Sequence, residues 1–256
     1  MSDPLIFSRD GAIAHVTLNR PEAFNAMNAA MRAGLRDALT EIDRDPEIRV
    51  VILSGNGRGF CAGTDLTERR TESTAQFLDR EYRPILNGIA TSPKIWVAQV
   101  HGSAAGIGAA LAMNCDLLTI AGDASIYMAF AAIGLVPDGG STWLLHRGMG
   151  SKRALQAILE GRKIPADEAL AHGLANAVHP AAELADETRA LAGRVAVGAP
   201  LAAAAAKRLI RSMDGLAYGE AMTVEGQEQS VLSTSDDARE GRSAFLEKRK
   251  PQFRGT

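Results

Sequence analysis

Cysteine is scarce in this 256-residue chain: Cys61 and Cys115 form no CxxC pair, and no cluster of His or Cys falls at metal-ligand spacing. That argues against a disulfide scaffold or a zinc module and predicts two reduced thiols and no metal. A surplus of charge of one sign is missing as well. The 28 Lys and Arg nearly balance the 30 Asp and Glu, giving a formal net charge of −2. No basic field recommends nucleic acid as a partner, so any anion binding has to be local. Long apolar runs are absent too: the alanine-rich stretch 201–206 is short and ends at Lys207 and Arg208, so no membrane span is expected. The opening MSDPLIFSRDG has no basic stretch followed by an apolar run, which predicts no signal peptide and a soluble, cytoplasmic protein. No internal repeat or low-complexity linker interrupts the chain.

What is present has an α/β rhythm. Short β-like runs at 12–18, 50–54, 95–100 and 117–121 alternate with helical patterns at 29–43, 74–90 and 106–114, which implies crossover connections. From about Ser151 onward the chain reads as successive helices with Gly or Pro stops: 151–161, 165–173, 181–197 and 200–213, then two more between 217 and 250. The expected division is a core over 1–195 and a helical region, suited to oligomerisation or to a lid, over 196–256.

Two glycine-rich segments carry the chemistry. GRGFCAGTDL (57–66) follows the apolar run VVILSG, and its three glycines permit tight turns and close approach of a ligand to bare N–H groups. A plain glycine-rich connection is the competing reading. HGSAAGIGAALAMNCD (101–116) passes from a strand through small residues into an apolar helix. Gly102, Gly106 and Gly108 have the spacing of a short-chain dehydrogenase fingerprint. A dinucleotide site is disfavoured because the motif lies far from the first strand and no acidic residue closes a following βαβ unit. In addition Tyr82, Tyr127 and Tyr218 are followed four positions on by Leu86, Ala131 and Met222 rather than Lys. The alternative is that residues 106–109 open a helix whose unpaired N–H groups point at developing negative charge, and that the two loops together form an oxyanion hole.

TLNRPEAFNAMN (17–28), FCAGTDL (60–66) and HGSAAGIGAALAMNCD resemble the signatures of the crotonase (enoyl-CoA hydratase/isomerase) superfamily in order and spacing. IGLVPDGGSTWLL (133–145), ALAHGLANAV (169–178) and FLEKRKPQF (245–253) continue the match over nearly the whole chain. The wording of GRGFCAG and PDGGSTWLL is closest to the branch of the phenylacetate-pathway epoxyacyl-CoA isomerase and the enoyl-CoA isomerases. The resemblance implies a crotonase-like α/β spiral of ββα turns with a C-terminal helical trimerisation region, assembled as a homotrimer or a dimer of trimers. It also implies an acyl-CoA thioester as substrate, with coenzyme A as part of that substrate and no separate cofactor. By motif position the oxyanion donors would be the backbone N–H groups of Thr64 and Ile107, the latter next to Gly106. Arg20, Ala23, Phe24, Ala62, Gly63, Asp65, Leu66 and Lys248 would hold the coenzyme A portion, with Arg20 and Lys248 meeting phosphates and Lys248 reaching an adjacent subunit. The basic run around Lys248, Arg249 and Lys250 also reads as a solvated tail.

The chain departs from the hydratase pattern at two positions. Where hydratases of the family carry glutamates, it has Ala110 and Ala129. Asp138, in LVPDGGST, remains as a carboxylate matched to isomerases, where a single base takes a proton from one carbon and returns it to another. Pro-Asp-Gly-Gly is also good turn and helix-cap chemistry. Asp65 is expected to be structural or to shape the acyl pocket, and Glu68 with Arg69 and Arg70 to lie on an exposed helix beyond it. His101 is expected to be a structural histidine. The implied activity is enoyl-CoA or epoxyacyl-CoA isomerisation, with hydration and a non-catalytic acyl-CoA-binding protein as the alternatives.

Overall fold

The structure is a computed structural model that describes residues 3–69 and 71–256; Arg70 lies outside the described residues. Strands β1 (Leu5–Asp10) and β2 (Ile13–Leu18) form an antiparallel hairpin around Gly11. Helix α1 (Ala29–Arg44), capped by Asn28 on the N–H of Met31, buries Met31, Leu35, Leu39 and Ile42 as one stripe and crosses to β3 (Val50–Gly55). Strands β3, β4 (Ile95–Val100), β6 (Leu117–Ala121) and β9 (Ala177–His179) then add in parallel, giving the order β1-β2-β3-β4-β6-β9. A second sheet is built from β5 (Ser103–Ala105), β7 (Ser125–Tyr127) and β8 (Lys163–Pro165).

The two sheets are two walls of one spiral. After β4 the chain steps into β5 and then helix α4 (Ile107–Asn114); after β6 it steps into β7 and then helix α5 (Ser141–Glu160). The turn before these has the same form, with β3 followed by a single parallel bridge from Cys61 to Ala104 and then by helices. This is the ββα spiral that the motifs imply.

Several local expectations are corrected. The edge strand β1 was not legible, because it buries Leu5 but exposes its far half and so shows no clear alternation. The three-residue strands β5, β7, β8 and β9 are too short to carry a period, and two of them fall in the third that reads as helical. The helix expected over 74–90 is broken into α2 (Thr74–Phe77), a π turn (Leu78–Tyr82) and α3 (Arg83–Thr91). Pro84 has no N–H to continue the ladder, and the Arg83 N–H reaches back to the carbonyl of Leu78. Helix α5 begins well before Ser151; the apparent start is a kink, where Gly150 leaves helical geometry at φ 74° and ψ 165°. Residues 66–69 form a turn rather than an exposed helix, and Glu68 accepts the N–H of Ala29 and pairs with Arg32 at 2.9 Å.

The parallel sheet is buried on both faces. Val51, Leu53, Trp96 and Ala98 point into the main core, while Val50, Ile52, Ile95 and Val97 meet Ala192 and Ala196 of helix α7 (Leu184–Ala196). Helix α4 is buried from Ile107 to Met113, consistent with a sequence apolar all round. Past the short helix α6 (Ala166–Ala171) and α7 come α8 (Pro200–Ser212), α9 (Tyr218–Leu232) and α10 (Asp236–Leu246). Helix α8 is tied to the core by Lys207, whose Nζ donates to the carbonyls of Ile89 and Lys94 and meets Asp116 at 2.7 Å.

Candidate active site

The first glycine loop is strung between two rails. On one side Phe60 N–H donates to His101 O and Cys61 N–H to Ser103 O, while Ala105 N–H returns to Cys61 O at 2.8 Å. On the other, Ala62 N–H donates to Phe24 O, Met27 N–H to Gly63 O and Asp65 N–H to Met27 O. Asn25, buried in the left-handed region at φ 57°, stitches the rails together: its Nδ2 donates to the carbonyls of Asn56, Gly59 and Phe60, and its Oδ1 accepts the N–H of Arg20. Because the bridge from Met27 uses the flanking Gly63 and Asp65, the N–H of Thr64 faces away from it. Among the described residues, no protein group accepts that N–H.

The second loop delivers a matching donor. Gly106, at φ 54° and ψ −128°, turns the chain from β5 into α4, so Ile107 opens the helix with an N–H that no described residue accepts. Gly63, at φ 101°, lies against this turn: a Cβ there would sit 3.0 Å from Ala105 O and 3.5 Å from Ile107 N. The loops therefore come together at their two open amides.

Beside them lies a cavity of about 690 Å³ lined by Leu78, Tyr82, Leu86, Asp138, Trp143 and Leu144 among others. The π turn and α3 supply one wall, and the Tyr82 hydroxyl shares a 2.9 Å hydrogen bond with Thr64 Oγ1, linking cavity to loop. Burial pushes the Tyr82 phenol up to about 12, so it stays protonated across the physiological range. Arg32 fixes its ring from beneath, 5.6 Å from the centroid, and is itself held by Glu68 and Glu81.

Asp138 lies on the opposite wall. The Asp138–Gly139 turn packs on the start of α4, since a Cβ on Gly139 would fall 2.3 Å from Ile107 Cδ1 and 2.8 Å from Ala110 Cβ. Asp138 O accepts the N–H of Ser141 at 3.0 Å, whereas Gly140 occupies the cap of α5. The turn reading of Pro-Asp-Gly-Gly holds and the cap reading does not. Among the described residues the carboxylates lining the cavity are Asp79 and Asp138, and Asp79 is drawn outward to Arg83 at 2.6 Å.

A model of the enoyl-CoA hydratase/isomerase family matches residues 8–256. The chain is 39% identical over 246 residues to a 1,2-epoxyphenylacetyl-CoA isomerase of Escherichia coli K12, covering 94% of each. It is 40% identical to a probable enoyl-CoA hydratase of Rhodobacter capsulatus, covering 95% of each. Its fold superimposes on the crystal structure of an enoyl-CoA hydratase from Bacillus anthracis with a TM-score of 0.93 at 30% identity, covering 99% of this chain and 100% of that one. The chain belongs to the enoyl-CoA hydratase/isomerase, or crotonase, family.

Within this crotonase fold Thr64, Gly63, Gly106, Ile107 and Asp138 come together around α4. The two alanines that the resemblance sets at hydratase glutamate positions are differently placed: Ala110 is fully buried beneath Gly139, and Ala129 is half-buried in the turn after β7. Ala23, Phe24, Ala62, Asp65 and Leu66 line the flank of the first loop, with Phe24 and Leu66 exposed. Arg20 lies there too, but its guanidinium is engaged by Ala26 O and, at 2.9 Å, by Asp65. Lys248 is not brought to the loops: it is exposed past the end of α10, where its N–H donates to Phe245 O. The Asp65 carboxyl is held below the ordinary range first by the hydroxyl and N–H of Thr67 and then by Arg20. His101 pairs through Nε2 with Gly57 O at 2.9 Å, the structural part expected of it. Both thiols are buried, and burial pushes Cys61 up to about 12.

Sequence reasoning missed Tyr82, Asn25 and Arg58. Arg58 stacks on the exposed ring of Phe24, 4.4 Å from its centroid, and is an exposed basic group on the first loop. The signal for Asn25 was available, because asparagine tolerates the left-handed region better than most residues. Nothing local marks Tyr82; its role follows from the π turn.

Proposed function

We propose that this crotonase is an acyl-CoA isomerase. The thioester oxygen lies between the N–H groups of Thr64 and Ile107, and Asp138 moves a proton from one carbon of the enolate system to another. The observation that carries the reading is the place of Asp138 on the cavity wall above Ile107; it is supported by alanine at 110 and 129, the positions the resemblance matches to hydratase glutamates. Removing a proton beside a thioester leaves charge on the carbonyl oxygen, and fixed amide donors stabilise it without reorganising. One such donor is worth about 3–4 kcal/mol in other enzymes. A single carboxylate suffices for the transfer, because it is regenerated when the proton is returned.

Hydration is the second reading, favoured by the names of relatives such as the 2,3-dehydroadipyl-CoA hydratase of Escherichia coli K12, 34% identical and covering 98% of each chain. It requires another group to do the work of the missing glutamates. Ligand binding without turnover is the third. Asp138→Ala separates that reading from catalysis: turnover falls by about 10²–10⁴-fold, the usual contribution of a general base, while acyl-CoA affinity is retained. Unchanged turnover in that variant removes Asp138 from the mechanism.

The assembly proposed is a homotrimer or a dimer of trimers built through the region 196–256. It is supported by the large apolar side chains Tyr218, Val231, Phe245 and Leu246, which α9 and α10 leave exposed.

A further inference from the structure

Two cavities meet at one indole. The first is the cavity that holds Asp138; the second, of about 610 Å³, lies between α5 and α8 over Ile95, Leu117, Leu174 and Ile210. Trp143 and Leu144 line both. On α4 the boundary runs through Asn114, which faces the first cavity while its neighbours Met113 and Cys115 face the second. Asn114 is held at both ends, donating from Nδ2 to Leu86 O at 2.6 Å and accepting from Arg211 at its own carbonyl at 2.7 Å. Trp143 is held from the far side: the Arg147 guanidinium carbon lies 4.7 Å from the ring centroid, and Arg147 is paired with Asp214 at 2.9 Å. Since Trp143 is 49% exposed, the main core does not depend on it.

We propose that Trp143 is the wall that sets the length of the acyl group, and that the second cavity is a subsite for the distal methylenes of a longer chain once that wall is removed. This deepens the acyl-CoA reading and rests on it. The native substrates are acyl thioesters compact enough to end at the indole. Arg147 and Asp214 keep the ring from swinging aside, and the floor beyond it is apolar, so a chain admitted there is held by burial alone. The cations at the edge of the second cavity are already engaged: Lys207 and Arg211 share Asp116, Lys207 also donates to the carbonyls of Ile89 and Lys94, and Arg211 donates to Asn114 O.

The test is calorimetric titration of the full-length wild type, Trp143→Ala and Trp143→Phe with butyryl-, hexanoyl-, octanoyl-, decanoyl- and dodecanoyl-CoA, all saturated and unreactive. In the wild type affinity rises with chain length and then stops. In Trp143→Ala the rise continues by up to about fourfold per methylene, the usual gain for apolar burial. Dodecanoyl-CoA then binds at least about tenfold tighter than to the wild type, while butyryl-CoA stays within about twofold. Trp143→Phe, which keeps a ring and guards against a folding defect, gives an intermediate profile. The same break point in all three proteins, or an equal loss at every length, overturns the proposal. Because the readout is binding, absence of turnover counts against the isomerase reading alone, whereas failure of every thioester to bind the wild type removes both.

Discussion

At Gly63 the chain has no room for a side chain and no ordinary conformation to offer one. Its φ of 101° and the 3.0 Å approach to Ala105 O both demand glycine, and what the close approach achieves is the juxtaposition of the Thr64 and Ile107 amides. Gly63→Ala is therefore expected to lower kcat by about 10²–10³-fold, the cost of one displaced oxyanion donor, with a native circular dichroism spectrum. A variant with full activity would show that the donors tolerate displacement. Nearby, Asp65 makes a pH-dependent contribution. Its folded pKa is depressed by Thr67 and Arg20, so its stabilising effect is present above the unfolded value of about 3.9 and is lost as pH falls through the folded value. Melting curves of wild type and Asp65→Asn should differ most near neutrality and converge in acid below about pH 4; a gap independent of pH contradicts this account. The glycines and Asp138 were legible because their motifs are local. Tyr82 was not, because its meeting with Thr64 depends on a turn geometry that no spacing encodes.

Between the residue and the whole lies the question of what holds the loops in register. Asn25 does so for the first loop, satisfying three carbonyls and one N–H from a fully buried position. Truncation to alanine leaves those groups without a partner, a cost of about 2–4 kcal/mol at the usual penalty for buried unsatisfied groups. A fall in melting temperature of several degrees checks it, and an unchanged melt would mean that water replaces the amide. For the second loop the device is α4 itself, buried throughout, with Gly108 so close to Cys61 that an added Cβ would lie 2.6 Å from its carbonyl oxygen. The longer elements, β2 to β4, β6, α1 and α7, could be read from period and punctuation. The three-residue strands of the second sheet, the π turn and the kinked α5 could not, since each is set by packing or by one Pro or Gly acting inside a helical pattern.

On the scale of the molecule, one spiral carries the open Thr64 and Ile107 amides and Asp138 on elements that pack against the same buried helix, while the chain beyond 196 leaves apolar side chains in solvent. If those helices assemble the protein, light scattering gives three or six times the 27.0 kDa chain mass, and a monomer at micromolar concentration contradicts the assembly. The central claim is narrower: Asp138 moves the proton in an isomerisation. It is tested most directly by supplying a 3-enoyl-CoA and a 2-enoyl-CoA in parallel to wild type and Asp138→Ala, following the absorbance of the conjugated thioester and separating the products. Conversion of the 3-enoyl substrate by the wild type, lost in the variant, is the predicted result. Rapid hydration of the 2-enoyl substrate by both proteins would contradict it and make this crotonase a hydratase that works without Asp138.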